Sequence, residues 1–320
     1  MARVFLRNPS CCSRRSLIVS AAALVGGGAL RARQEPTFSS EVKVVNILAT
    51  VRDKSGAIVR NLPKEDFQVF EDGRPQRIQY FSQETDLPLT IGLLVDTSFS
   101  QMRVLEQERA ASYRFLDEVL REGKDKAVVV QFDQAVVIRQ QLTTSHKELQ
   151  DTLSLLDLPT REQAAEGSGT LLYDAVRTAS IQIMRTQQGR KALVVLTDGV
   201  DEGSEVSLPD AIEAAQRADT LVYSILFSDA SYYGGRMLGP NGAGVLKRLS
   251  KETGGGYFEV SKTRSIGDIY EAIQEELRSE YSLGFVSNQP VTKSGFRSLR
   301  VVTKQKGLAV QARNRYYAET

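Results

Sequence analysis

Ile91-Gly92-Leu93-Leu94-Val95 runs without a break into Asp96-Thr97-Ser98-Phe99-Ser100, and this stretch decides the fold. An apolar run with no polar alternation is the pattern of a strand buried on both faces. Such a strand belongs to a mostly parallel sheet covered by helices on either side. A second run, Ala192-Leu193-Val194-Val195-Leu196, ends the same way, in Thr197-Asp198-Gly199. Between the two lies Gly167-Ser168-Gly169-Thr170, directly ahead of a helical pattern. In each case carboxylates and hydroxyls begin where the apolar run stops.

Outward from these runs, strands and helices alternate. Arg103 to Leu120 is amphipathic, with Leu105, Ala111, Phe115, Val119 and Leu120 near helical spacing. Ala127 to Phe132 is a strand that Ala135 to Ile138 extends or pairs with. His146 to Leu156 and Leu171 to Met184 read as helices. Leu208 to Ala218 is a helix with Pro209 in its first turn. Leu221 to Phe227 and Tyr257 to Val260 read as strands, and Leu246 to Glu252 and Ile266 to Arg278 as helices. Ser231 to Gly244 reads as a glycine-rich loop. The expected fold class is α/β: a doubly wound, mostly parallel, Rossmann-like sheet with helices on both faces.

Both ends of the chain read differently. Val42 to Val51, Asp66 to Phe70 and Arg77 to Phe81 are short strands, with Glu71-Asp72-Gly73-Arg74-Pro75 as a turn. Tyr281 to Val286, Ser298 to Thr303 and Leu308 to Ala312 are three more. Neither flank is long enough for a comfortable core of its own. The expectation is that they combine into one small β-sandwich-like domain with the α/β domain inserted between them. The expected boundaries are an export signal at 1–33, an N-terminal strand segment at 34–86, the α/β domain at 87–279 and a C-terminal strand segment at 280–320.

The 320 residues suffice for about two domains of ~100–200 residues each. A charged fraction of 25% and a hydrophobic fraction of 41% are those of an ordinary globular protein. Net charge is +2, but residues 1–33 carry six Arg and no acid; without them 35 basic side chains face 39 acidic ones. An acidic remainder is poorly suited to nucleic acid or to anionic membrane surfaces, which are bound through Lys and Arg. Arg3, Arg7, Arg14 and Arg15 precede an apolar, small-residue stretch from Ser16 to Leu30. That stretch is short of the ~20 apolar residues that span a bilayer and fits a signal-peptide core. Ser13-Arg14-Arg15-Ser16-Leu17-Ile18 resembles a twin-arginine export motif. Ala29 and Ala32 are candidate cleavage positions. The expected location is periplasmic or secreted, or membrane-anchored where the signal stays uncleaved. Removal of the signal takes Cys11 and Cys12, the only cysteines, and with them any disulfide or thiol chemistry.

In open α/β sheets the ligand site lies beyond the carboxyl ends of the strands. Asp96, Ser98, Ser100, Thr170 and Asp198 all belong to that edge, and together they offer two carboxylates and three hydroxyls. Mg²⁺ takes six oxygens in near-octahedral geometry at about 2.1 Å and dehydrates reluctantly. Hydroxyls are weak neutral ligands, and two carboxylates only just neutralise the ion. A Mg²⁺ or Mn²⁺ held this way stays electrophilic, and a carboxylate from an Asp or Glu of a partner protein is its natural sixth ligand.

The ordered set Asp-x-Ser-x-Ser at 96–100, Thr170 and Asp198-Gly199 resembles the von Willebrand factor type A (VWA) domain with a complete metal-ion-dependent adhesion site. The likeness runs from Leu89 to about Arg278. It implies that Asp96 and Asp198 lie at the metal, directly or through water, that Ser98 and Ser100 are direct ligands, and that Thr170 binds directly or through water. Asp66-Phe67-Gln68-Val69-Phe70-Glu71-Asp72-Gly73 ahead of the domain resembles the acidobacterial-type VWA-related proteins.

Other residues carry weaker signals. Phe99, Tyr232, Tyr233 and Arg236 are candidate partner contacts, since Tyr and Arg are enriched at binding hot spots. Asp174 reads either as support for the site or as a solvated helix residue. Asp133 and Asp201-Glu202 read as solvated turns, and His146 as a surface residue. Gly254-Gly255-Gly256 is a helix stop with a close turn; it follows a helix, whereas a phosphate loop precedes one. The chain offers no G-x-S-x-G elbow and a single His in a polar context, which is poor material for catalysis. The expected function is a non-enzymatic, metal-dependent protein-binding module for adhesion or assembly. A metallohydrolase using the same ion and a purely structural assembly subunit are the competing readings.

Overall fold

The computed structural model describes residues 44–83, 87–101, 105–156, 169–227, 242–289, 291–292 and 294–319. The expected export signal and the loop tip carrying Tyr232, Tyr233 and Arg236 lie outside them. Eight consecutive buried residues make β5 (Leu89–Asp96), the run from which the fold was read. It sits inside a six-stranded sheet with β6 (Lys126–Phe132), β7 (Val136–Thr143), β8 (Arg190–Thr197), β9 (Leu221–Leu226) and β10 (Tyr257–Glu259). The order across the sheet is β10-β9-β8-β5-β6-β7. All pairings are parallel except the edge pair β6–β7, which is antiparallel.

Each face of this sheet buries its own apolar core. One core packs α1 (Leu105–Val119), α2 (His146–Ser154) and α6 (Ile266–Leu277) against Ile91, Leu93, Val129, Val194 and Tyr223. The other packs α3 (Leu172–Thr178), α4 (Leu208–Arg217) and α5 (Gly242–Thr253) against Leu94, Val128, Val130, Val195 and Val222. Alternate residues of each strand point to opposite cores, and that is why the strands read as unbroken apolar runs. Local signals place the helix starts. Ser207 and Ser265 form capping boxes with Asp210 and Asp268, and Pro209 stands in the first turn of α4.

The flanking segments interleave as expected. β1 (Val44–Arg52) pairs with β11 (Tyr281–Val286) on one side and β13 (Ala309–Ala312) on the other. β11 also pairs with β4 (Ile78–Ser82), giving the order β13-β1-β11-β4. A second antiparallel sheet has the order β14-β12-β2-β3, from Arg315–Ala318, Gly295–Thr303, Phe67–Glu71 and Arg74–Gln76. Residues from both sheets share one core around Ile47, Phe67, Val69, Tyr281, Phe285 and Tyr316. Arg74 and Pro75, expected as turn, pair with β2 in a hairpin whose turn is Asp72-Gly73, both at positive φ (46° and 78°). Gly242 to Gly244, expected as loop, form the first turn of α5.

Candidate metal centre

The chain leaves β5 through α1 to reach β6 on one side, and later returns to β8 on the other. The crevice between β5 and β8 is therefore the topological switch point, where sheets of this kind bind ligands. The register pairs Val95 with Leu196, which sets Asp96 beside Thr197. Thr197 Oγ1 donates to Asp96 Oδ2 at 2.6 Å and accepts from the Gly199 amide at 3.1 Å. The Ser98 amide donates to Asp96 Oδ1 at 2.9 Å, closing an Asx turn. That turn brings the Ser98 and Ser100 hydroxyl oxygens to 3.1 Å.

Asp198 follows β8 and is 2% exposed, with Oδ1 accepting from the Val200 amide at 3.0 Å. Gly199 has φ of +81°, and a Cβ there would meet the Gly242 carbonyl oxygen at 2.5 Å. A Cβ on Gly242 would in turn meet the Asp198 carbonyl oxygen at 2.3 Å. These two glycines let the turn carrying Asp198 rest directly on the start of α5. Thr170 is held from two sides. Its amide donates to the Glu202 carbonyl (2.9 Å), its carbonyl accepts from the Glu202 amide (3.0 Å), and the Leu171 amide bonds the Asp133 carbonyl (2.9 Å). Thr170 is thus tied to the loops that follow β8 and β6.

Asp96 is fully buried, and its carboxyl is pushed up to about 7. Burial is the larger cause and the charge of Asp198 the second, while bonds from Ser98 and Thr197 oppose both. Two like charges held close together in a buried site repel unless a cation lies between them. Oxygen spacing adds to that argument. Around an octahedral ion with ligands at about 2.1 Å, adjacent oxygens lie about 3.0 Å apart, and the Ser98 and Ser100 hydroxyls, here hydrogen-bonded to each other at 3.1 Å, are at that separation. Among the described residues no three Asp, Glu, His or Cys side chains gather closely enough to hold an ion between them.

Several further residues hold the loops around the site. Asp133, expected in a solvated turn, accepts from the Thr97 hydroxyl at 2.8 Å. Gln131 donates to the same hydroxyl at 2.8 Å and accepts from Arg139 at 2.6 Å. This chain of bonds stiffens the loop at Thr97, and the signal for it was a lone polar Gln131 inside an apolar strand. Asp174 does not stand free in solvent; its carboxylate takes the amides of Glu205 and Val206 at 2.9 and 3.3 Å. Asp201 accepts from the Tyr173 amide at 3.0 Å, so the Asp201-Glu202 loop is structural. His146 is half-buried, with Nδ1 at 2.7 Å from Asp117. Gly255 approaches β9 so closely that a Cβ would meet the Val222 carbonyl oxygen at 2.2 Å, in keeping with its reading as a close turn. The Phe99 side chain lies outside the described residues.

Residues 90–272, more than half of the chain, match the family described as von Willebrand factor type A domain. The chain belongs to the VWA family. Several solved structures resemble this VWA protein at low identity. One is an aerotolerance-related membrane protein from Bacteroides fragilis, at 17% identity and a TM-score of 0.46 over 59% of this chain and 98% of that one. Another is BatB from Bacteroides thetaiotaomicron, at 18% and 0.45 over 59% and 97%. A third is proximal thread matrix protein 1 from the mussel byssus with a zinc-occupied adhesion-site motif, at 11% and 0.48 over 66% and 50%. No curated protein matches the chain.

Proposed function

We propose that this VWA protein is an exported, non-enzymatic binding module that holds Mg²⁺ or Mn²⁺ and recruits a carboxylate from a partner protein. In this reading Asp96, Ser98, Ser100, Thr170 and Asp198 hold the ion. When bound, the cation supplies an electrophilic position for an anionic oxygen from outside. Asp96 and Asp198 neutralise the ion without saturating it. Ser98 and Ser100 contribute neutral oxygens from the outer lip, where Ser100 is half-buried. Thr197 and the Ser98 amide hold the Asp96 carboxylate in one orientation, so little ordering is left to the moment of binding. The observation that carries the reading is the mutual burial of Asp96 and Asp198 at the switch point, beside two hydroxyls at ligand spacing.

Hydrolysis would need a general base beside the ion. The sole histidine is engaged with Asp117 at the start of α2, and both carboxylates nearest the proposed ion are committed to holding it. Calorimetric titration with Mg²⁺ and Mn²⁺, repeated on Asp96→Ala, tests the site; equal binding by both proteins would overturn it. Capture from envelope extracts with and without chelator tests the adhesive role, with retention expected only when the metal is present and Asp198 intact. Asp96-dependent turnover of phosphoesters or peptides would favour the hydrolase instead.

A further inference from the structure

The inner face of α1 carries Leu105, Glu108, Ser112, Phe115, Leu116 and Val119. Five of these suit a core; Glu108 does not. It is completely buried, and neither carboxylate oxygen has a hydrogen-bond partner among the described residues. Glu71 and Asp125 are answered: Glu71 has Ser287, Tyr316 and Arg297, and Asp125 has Arg121, Arg278 and the Leu89 amide. Glu280 Oε2 also lacks a hydrogen bond among the described residues, but it faces Arg190 at 3.9 Å. Around Glu108 the charges that matter are Asp96 and Asp198, which add to burial in pushing its carboxyl well up. Protonation does not resolve the mismatch, because a neutral carboxyl would bury an O–H that has no acceptor either.

A second orphan lies beside the site. Gln101 is also fully buried, its Nε2 donates to Ser100 Oγ at 3.4 Å, and its Oε1 has no partner among the described residues. Three buried acceptor oxygens near the two acids thus lack donors. Water in the hydration shell of a cation is such a donor: its lone pair faces the metal and both of its hydrogens point outward. Mg²⁺ keeps several such waters. Among the described residues no three acids gather closely enough to hold an ion jointly, so a role for Glu108 is that of an outer acceptor and not of a ligand.

We propose that Glu108 is a positioning carboxylate of the metal centre, accepting hydrogen bonds from the cation's water shell on the core side, with Gln101 Oε1 as a second acceptor. This rests on the metal-centre reading above and adds an outer acceptor to it. Outer-layer acceptors of this kind orient the ligands and raise the affinity of a site. They also leave the metal-free protein with an unanswered buried group.

Calorimetric titration with Mn²⁺ and differential scanning calorimetry in chelator, on the wild type, Glu108→Gln, Glu108→Met and Asp96→Ala, test the proposal. Glu108→Gln and Glu108→Met are expected to weaken Mn²⁺ binding about tenfold or more, while melting at or above the wild-type temperature in chelator. A merely structural glutamate would lower that melting temperature and leave Mn²⁺ affinity unchanged. Either of those results would overturn the role of Glu108 and leave the five-residue site standing. Absence of Mn²⁺ binding by the wild type, or binding that survives Asp96→Ala, would overturn the metal centre itself and Glu108 with it.

Discussion

Lowering the pH should loosen the cation by at least the amount that Asp96 sets. Its carboxyl titrates near 7 because it is buried and because Asp198 lies close. A metal takes the ionised form, so each pH unit below 7 lowers apparent affinity about tenfold, or about 1.4 kcal/mol. Between pH 8 and pH 5.5 the ionised fraction falls about thirtyfold by this reckoning. A carboxylate with an ordinary value near 4 would lose only a few per cent of its ionised form over the same range. The stability of the metal-free fold runs the other way. A carboxyl raised from 3.8 to about 7 holds its proton in the fold while the unfolded chain has released it. Metal-free stability is therefore greatest below about pH 4 for this group and falls as pH rises towards 7, by up to about 4 kcal/mol. Mn²⁺ titrations at pH 8, 7, 6 and 5.5, with melting curves in chelator at the same values, read both effects. An Mn²⁺ affinity that is flat from pH 8 to 5.5 would refute the argument.

Other perturbations test the frame around the site. Asp125→Ala removes the acceptor of Arg121, Arg278 and the Leu89 amide beneath β5, and is expected to cost about 3–5 kcal/mol in urea unfolding at pH 7. Because Asp125 is lowered to about 2, its contribution is complete above the ordinary carboxylate value and disappears as pH falls through 2; Asp125→Asn and wild type should therefore converge only below that point. Gly199→Ala places a methyl group 2.5 Å from the Gly242 carbonyl oxygen and should weaken Mn²⁺ binding in calorimetry while lowering the melting temperature. Thr197→Val deletes the bond to Asp96 and should cost about 1.5–3 kcal/mol at pH 8, where Asp96 is ionised, and less at pH 5, read by urea unfolding. Ending the chain at residue 279 removes β11, the partner of both β1 and β4, and circular dichroism should show loss of strand signal.

Much of the architecture was legible because its physical cause acts locally. β5 and β8 are buried on both faces, so their sequences lack alternation, and their ends are marked by the first carboxylate. The flanks alternate with period two, and their joining follows from each being too short for a core of its own. What escaped reading depended on distant contacts. Arg315–Ala318 alternates half-buried and buried residues, but four residues are too few to separate from a loop. Gly242 to Gly244 looked like loop composition, yet Gly242 is needed for its approach to Asp198, a contact across some forty residues. Thr170 is suggested as a candidate by its glycines and the following helix, whereas its anchor, the backbone of Glu202, is announced by no side-chain pattern. Glu108 did leave a mark: helical spacing from Leu105 to Phe115 puts it on the apolar stripe.

A crystal of the protein grown or soaked with Mn²⁺, with diffraction recorded for the anomalous signal of manganese, tests the central claim most directly. One anomalous peak is predicted within about 2.1–2.3 Å of the Ser98 and Ser100 hydroxyl oxygens, in the crevice between β5 and β8. No peak there at saturating Mn²⁺, or a peak held only by other residues, would contradict the account.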